Sequence, residues 1–135
     1  MPHLAGVYET ILYATDLAAA GRFYADVLGL KAIRQSAASL DGFRLPDGGV
    51  LLLFNPRESI KPGRGVPSHG GMGPGHAAFR VGNAPGELDR WRERLRSTHV
   101  EIEQEITWDS GARSIYFRDP AGNSVELVEG EIWPR

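Results

Sequence analysis

The sequence contains no cysteine among its 135 residues. This absence excludes disulfide bonds, thiolate nucleophiles and cysteine-ligated metal sites, so any metal has to be held by His, Asp, Glu or neutral oxygen ligands. Positive charge is not in excess either, because 15 Lys and Arg residues stand against 17 Asp and Glu residues, a formal net charge of −2. A basic nucleic-acid-binding face is therefore not expected.

Long apolar runs are also missing. No segment approaches the length of a membrane span, and residues 1–6 carry neither a charged leader nor an apolar stretch. We therefore expect a cytoplasmic protein without nucleic-acid or membrane partners. The length of 135 residues predicts a single domain over residues 1–135, and the ordinary composition, 41% hydrophobic and 24% charged, does not indicate disorder.

Strand and helix signals occur twice in the same order. The first set is a strand, a helix after an Asp16 N-cap, and three short strands: Gly6–Thr15, Ala18–Leu28, Leu30–Gln35, Leu40–Leu45 and Val50–Phe54. The second set is Gly75–Gly82, the helix Pro85–Ser97, and the strands Val100–Ile106, Arg113–Arg118 and Ser124–Glu129. The order predicts two βαβββ repeats, at about 6–55 and 75–130.

Residue matches support this internal repeat. At an offset of 67, Glu9–Thr15 overlays His76–Gly82, and at an offset of 74, Phe43-Arg44 overlays Phe117-Arg118. Between the repeats, the loop 56–74 lies within a segment, Asn55–Gly75, that holds four prolines and six glycines. A loop of this length inside a domain is typical of a linker or a functional lid.

Equivalent positions of a repeat converge on a shared cleft, and the first and last strands then supply candidate ligands. These positions hold Glu9 and His76 in the first strands, and Leu52 and Glu126 in the last strands. An unpaired carboxylate among apolar strand residues is costly, so a shared divalent cation is the predicted partner of the three polar groups. By strand alternation, Tyr13 and Arg80 face the same cleft, where they are candidates for holding an anionic substrate.

Two runs, GHAAFRV and SIYFRDPAGNSVEL, together with Phe23-Tyr24 and Leu28-Gly29-Leu30, resemble the vicinal oxygen chelate superfamily. This is the glyoxalase, bleomycin-resistance and extradiol dioxygenase group. The resemblance implies an α+β fold in which two βαβββ repeats form a cup-shaped, barrel-like mixed sheet with helices outside. It also implies a homodimer, and metal ligands at Glu9, His76 and Glu126. Tyr116 resembles an active-site tyrosine of the fosfomycin-modifying relatives.

Two departures from the family pattern bear on the reaction. Glyoxalase I enzymes have a fourth ligand where this chain has Leu52, so standard glyoxalase I activity is not expected. Extradiol dioxygenases and fosfomycin-modifying transferases commonly have histidine where this chain has Glu9. One divalent ion per site is expected, and the sequence leaves manganese, nickel, iron, zinc and magnesium open.

The predicted function is that of a metal-dependent lyase, isomerase or transferase. A small oxygen-rich substrate would chelate the cation through two vicinal oxygens, and the cation would stabilise an oxyanion or enolate. Glu9 is then a ligand or a base, and Tyr116 a hydrogen-bond donor to substrate. A ring-cleaving dioxygenase and a metal-free drug-sequestering protein are the alternatives.

Each candidate residue also has a structural interpretation. His76 is alternatively a structural histidine, Glu126 a surface residue of an edge strand, and Tyr116 a packed aromatic. Glu9 is alternatively an ion-pair partner of Arg80. His69, in the long loop, is either a lid residue that contacts substrate or a solvated loop histidine.

Overall fold

The computed structural model describes residues 1–36 and 38–135. The chain divides into two compact units, Met1–Gly73 and Pro74–Arg135, and each unit carries one four-stranded mixed sheet. Among the described residues, no helix has the length and apolar content needed to cross a membrane.

The first unit is a βαβββ module followed by a short helix. Its order is β1 (Glu9–Tyr13), α1 (Leu17–Arg22), a π-helical turn (Phe23–Val27), β2 (Lys31–Gln35), β3 (Leu40–Arg44), β4 (Val50–Phe54) and α2 (Pro56–Ser59). The sheet order is β1-β4-β3-β2, with β1 parallel to β4 and the other neighbours antiparallel. The Asp16 N-cap is confirmed, since its Oδ1 accepts a hydrogen bond from the Ala19 N–H at 3.0 Å.

The second unit repeats the same topology. Its order is β5 (His76–Arg80), α3 (Glu87–Ser97), β6 (Gln104–Thr107), β7 (Arg113–Arg118) and β8 (Ser124–Glu129). The sheet order is β5-β8-β7-β6, with β5 parallel to β8. The α+β class and the two βαβββ repeats are therefore confirmed.

The repeat extends to the hydrogen bonds of the tight turns. Arg44 Nη1 donates to the Gly48 carbonyl at 2.9 Å, and Arg118 Nη1 donates to the Gly122 carbonyl at 3.1 Å. Both glycines have positive φ, 95° and 85°, which a residue with a Cβ rarely adopts. The offset of 74 found in the sequence thus relates equivalent backbone conformations.

Several element boundaries differ from the prediction. The strand expected at Val100–Ile106 is β6, Gln104–Thr107, and the helix expected at Ala18–Leu28 changes to a π-helical turn after Arg22. In that turn, the Leu28 N–H donates to the carbonyl of Phe23, five residues back. The predicted loop 56–74 begins with the unpredicted helix α2. The strands form two open sheets, and the cup shape stays a prediction.

One face of the second sheet belongs to the core. Helix α3 packs on β8, and its Leu88 and Leu95 are fully buried. Strand alternation places the buried apolar side chains of β7 and β8 on this face: Ile115, Phe117, Val125 and Leu127. The opposite face carries His76, Tyr116 and Glu126, and is available for a site.

Candidate metal and substrate site

Glu126 lies at the centre of the second sheet. Its strand, β8, runs between β5 and β7, and Glu126 is in register with Ala78 on one side and Tyr116 on the other. The residue is only 5% exposed. The interpretation of Glu126 as an edge-strand surface residue is therefore wrong, and a buried carboxylate at this position needs polar partners.

One side chain of the same unit bonds the carboxylate directly, and a second side chain bonds that partner. The Ser114 hydroxyl donates to Glu126 Oε2 at 2.6 Å, and Trp108 Nε1 donates to Ser114 Oγ at 2.9 Å. Tyr116 lies directly beside Glu126 in the register of β7 and β8. Burial, and then the neighbouring Glu126 carboxylate, raise the pKa of Tyr116, while the neighbouring Ser114 side chain opposes the shift. The carboxylate is thus held in one orientation.

His76 faces the remaining oxygen of this carboxylate. Its Nδ1 lies 3.0 Å from the carbonyl oxygen of Ser124, and its Nε2 lies 3.3 Å from Glu126 Oε1. The imidazole ring stacks on the Tyr116 ring, with centroids 6.2 Å apart and planes inclined by 21°. Because a carbonyl oxygen only accepts hydrogen bonds, the proton on Nδ1 is fixed by the Ser124 contact.

This tautomer has a chemical consequence. With Nδ1 protonated, the lone pair of a neutral imidazole is on Nε2 and points to a carboxylate oxygen, so the two acceptors need a positive charge between them. A proton or a metal cation supplies that charge. An imidazole whose other N–H donates to a backbone carbonyl has the outer hydrogen bond typical of a metal-ligating histidine.

The pair lies in a cleft of about 680 Å³ within the second unit. The cleft is lined by His76, Ala78, Phe79, Arg80, Trp108, Tyr116, Glu126, Val128, Gly130, Glu131, Ile132 and Trp133. A volume of this order accommodates a small organic ligand. Arg80, predicted to hold an anionic substrate, pairs with Glu131 at 2.5 Å between Nη1 and Oε1.

The other predicted residues belong to the first unit. Glu9 is exposed at the start of β1, and Leu52 is half-buried at the position of β4 that corresponds to Glu126 in β8. The Tyr13 hydroxyl and His69 Nδ1 are hydrogen-bonded at 2.7 Å, and the His69 ring packs edge-on against Phe54 at 4.6 Å. His69 is therefore half-buried, which contradicts the solvated-loop interpretation.

The loop around His69 is closed by a pair of hydrogen bonds. The buried Ser59 hydroxyl donates to the His69 carbonyl at 2.7 Å, and the His69 N–H donates to the Ser59 carbonyl at 3.0 Å. Residues 60–68 thus form a loop whose two ends are fastened to each other. The contacts place His69 on the sheet of the first unit.

The donor chemistry fits part of a divalent-cation site. His76 and Glu126 offer one imidazole nitrogen and one carboxylate oxygen, which suit zinc, iron, nickel and manganese. Over residues 1–36 and 38–135, no group of three His, Cys, Asp or Glu residues is arranged to hold a metal ion. The role of Glu9 as a further ligand stays a prediction.

Sequence reasoning missed two residues of this site, Ser114 and Trp108. Ser114 alternates with Tyr116 on β7, so the period of two in a strand is a signal that points to it. Trp108 follows β6, and its hydrogen bond to Ser114 forms across a turn. No periodic signal in the sequence predicts that contact.

The fold and the site together define a duplicated βαβββ protein with an imidazole–carboxylate pair on adjacent strands. The chain belongs to the glyoxalase/bleomycin resistance protein/dioxygenase superfamily, whose profile matches residues 1–127. The family expected from the sequence is therefore confirmed.

Individual relatives agree with this assignment. A crystal structure of lactoylglutathione lyase from Agrobacterium tumefaciens is 39% identical, with a TM-score of 0.90 and coverage of 97% of this chain and 98% of that one. A glyoxalase/bleomycin resistance protein/dioxygenase from Nocardioides is 25% identical, with a TM-score of 0.76 and coverage of 100% and 91%. Biphenyl-2,3-diol 1,2-dioxygenase 3 of Rhodococcus globerulus is 28% identical over 122 residues, which are 87% of this chain and 59% of the relative's length.

Proposed function

We propose that this chain is a metal-dependent enzyme that binds a small oxygen-rich substrate beside a divalent cation held by His76 and Glu126. The observation that carries the proposal is the pair of acceptors, Nε2 and Oε1, facing each other at 3.3 Å with the Nδ1 proton engaged elsewhere. The expected reaction is that of a lyase, isomerase or transferase, in keeping with the superfamily.

Each residue has a stated part in this proposal. His76 binds the ion through Nε2 and Glu126 through Oε1, while Ser114 keeps the carboxylate oriented. When bound, the cation supplies a Lewis acid that favours negative charge on a substrate oxygen. The Tyr116 hydroxyl is the candidate donor to a substrate oxygen. Glu9 is proposed as a third ligand or as the base that removes a substrate proton.

Metal titration of the purified protein tests the proposal directly. The chain is stripped with chelator and titrated with Mn²⁺, Ni²⁺, Fe²⁺, Zn²⁺ or Mg²⁺ in a calorimeter. We expect His76→Ala and Glu126→Gln to weaken binding by more than about a hundredfold, since even an outer hydrogen-bond partner typically contributes roughly 10- to 100-fold. Glu9→Gln tests the third ligand in the same way.

Glu105→Gln is the matched control, because Glu105 is an exposed carboxylate that pairs with Arg92 on the same unit. Its metal affinity should equal that of the unaltered protein. Heat of binding that is absent for every ion, or unchanged in His76→Ala and Glu126→Gln, would show that the pair does not hold a metal ion. In that case, a metal-free protein that sequesters a small molecule becomes the better interpretation.

The names of the relatives suggest two reactions to assay. The Agrobacterium relative is named a lactoylglutathione lyase and is similar over nearly its whole length, which favours a lyase on a carbonyl or thioester substrate. Leu52, at the position corresponding to Glu126, reduces the carboxylates available in this chain. We therefore expect turnover of lactoylglutathione to be slow or absent, as followed by its thioester absorbance.

A ring-cleaving dioxygenase is the second candidate. The aromatic lining of the cleft and the similarity to a biphenyl-2,3-diol dioxygenase favour it. Oxygen uptake by the Fe²⁺-loaded protein on biphenyl-2,3-diol tests it. The chain spans 59% of that relative's length, so the relative's activity is a proposal for this chain.

The remaining expectations concern assembly and location. The homodimer and the cytoplasmic location are carried forward as proposals from the family resemblance and the composition. Sedimentation equilibrium across a range of concentrations decides the oligomeric state, and a monomer at all concentrations would contradict the dimer.

A further inference from the structure

The chain continues past the part that the superfamily profile matches. The profile ends at residue 127, and residues 130–135, here named the C-terminal segment, follow β8. Gly130 has a φ of 93°, and a Cβ there would lie 3.2 Å from Ala112. A glycine is therefore needed where the chain turns to run beside the start of β7.

Side chains fasten this segment beside the cleft. The Ser110 hydroxyl donates to the Glu131 carbonyl at 2.6 Å, and the Glu131 carboxylate accepts from Arg80 and from Arg135, at 2.5 and 3.1 Å. Arg80 belongs to β5, so these contacts tie the segment to the opposite edge of the sheet. A single carboxylate, Glu131, is thus shared by two guanidinium groups at the border of the cleft.

The segment contributes apolar surface to the cleft. Ile132 and Trp133 line it together with Phe79, Trp108 and Tyr116. Trp133 is 79% exposed, although it is one of the largest apolar side chains. Leaving an indole in water beside an aromatic cleft is unfavourable, and a planar apolar ligand would bury it.

We infer that the C-terminal segment forms one wall of the substrate cleft and determines its specificity, by selecting substrates with an uncharged planar apolar group. This part of the cleft is named the specificity wall. The oxygen functions of such a substrate lie at the His76–Glu126 pair, and its ring lies against Trp133. The inference rests on the proposed function only in taking this cleft as the substrate site.

Equilibrium dialysis of biphenyl-2,3-diol with the chelator-treated protein tests the inference without any metal. Trp133→Ala should weaken binding about tenfold, the order expected for losing one aromatic contact and its buried area. Trp91→Ala is the control, because Trp91 lies half-exposed on α3 and does not line the cleft. Its affinity should stay within twofold of the unaltered protein, and lactoylglutathione should bind more weakly than the diol.

The results that would overturn this inference differ from those that would overturn the metal proposal. Equal affinity of Trp133→Ala and the unaltered protein, or no binding of the diol by either, overturns the specificity wall. A shift of Trp133→Ala from dimer to monomer in sedimentation would also overturn it, because a second copy would then cover the indole. Metal titration of Trp133→Ala should match the unaltered protein, so loss of the wall leaves the metal proposal standing.

Discussion

At the scale of single residues, the hydroxyl of Ser114 connects two groups that are costly to leave without partners. It accepts from Trp108 Nε1 and donates to the buried Glu126, and Ser114 itself is only 1% exposed. Removing the hydroxyl leaves an indole N–H and a carboxylate oxygen each without this hydrogen bond. The network therefore bears on both stability and the orientation of the proposed ligand.

For Ser114→Ala, we expect a loss of about 1–3 kcal/mol in the free energy of unfolding, the cost typical of a buried polar group that loses its partner. Metal affinity should fall by roughly 10- to 100-fold, as for other outer partners of ligands. Chemical denaturation and calorimetric titration measure the two effects. Ser97→Ala, on the exposed end of α3, should change neither, and an unaffected Ser114→Ala would remove Ser114 from the site.

At the scale of elements, α1 and the first sheet meet at a close contact between Gly21 and Asp41. Both residues are buried, and a Cβ on Gly21 would come within van der Waals overlap of Asp41 Oδ2. Asp41 Oδ1 accepts a hydrogen bond from the Ser36 N–H at 3.2 Å. The equivalent position in the second repeat is Ile115, so the two modules fill this place differently.

Gly21→Ala should destabilise the protein by about 1–3 kcal/mol, the usual cost of overpacking a core, despite the higher helix propensity of alanine. In a protein that already carries Asp41→Ala, Gly21→Ala should destabilise much less than it does beside Asp41, because the clashing carboxylate is gone. Chemical denaturation of the double-mutant cycle measures the coupling. If the two substitutions change the free energy of unfolding additively, overlap with Asp41 is not the cause of the destabilisation.

The Asp41 carboxyl group also makes the stability of the protein depend on pH. Burial raises the pKa of Asp41, although the hydrogen bond from the Ser36 N–H opposes the shift. With a folded-state pKa above the unfolded value, the native state binds the proton more tightly. The contribution of Asp41 to the free energy of unfolding is therefore fully present below the pKa of the unfolded state. It is lost as the pH rises through the pKa of the folded state.

Asp41→Asn removes this titration. The melting temperature of the variant minus that of the unaltered protein should increase as the pH rises from about 4 to neutrality. Only the unaltered protein has to ionise a buried Asp41 over this range. Thermal melts across this pH range measure the difference. A difference that stays constant with pH would contradict the assignment to Asp41.

At the scale of the whole molecule, the boundary between the compact units lies at Gly73 and Pro74, at the end of the proline- and glycine-rich segment. Residues 61–68 are largely exposed, and Gly63 and Gly65 have φ values of 76° and 86°. Exposed loop backbone of this kind is the preferred place for proteolytic cleavage. The contacts between Ser59 and His69 fasten the base of the loop, and inside it the Arg64 side chain donates to the Ser59 carbonyl at 2.8 Å.

Limited trypsin digestion should first cut after Arg64, giving fragments 1–64 and 65–135. The bond after Lys61 is resistant because proline follows it. Mass spectrometry of early time points identifies the cut, and Arg64→Gln should delay it without changing the melting temperature by more than a few degrees. An earlier cut within β5 or α3 would show that these elements open more readily than the exposed loop.

Much of the fold was predictable because its signals are local. The strands Val50–Phe54, Arg113–Arg118 and Ser124–Glu129 were predicted with the observed bounds, since alternation and turn residues act over a few positions. The change to a π-helical turn after Arg22 and the late start of β6 were not predictable in this way. They depend on packing, which overrides local propensity.

The sequence by itself determined the duplication, the turn glycines and the chemical types of the candidate ligands, because these are properties of neighbouring residues and of fixed offsets. Only the tertiary structure decided the burial of Glu126, the Ser114–Trp108 network and the proton position on His76. The His76–Ser124 hydrogen bond joins residues 48 positions apart, and its geometry follows from the parallel register of β5 and β8. Register is fixed by the packing of both strands at once, so no single stretch of sequence contains it.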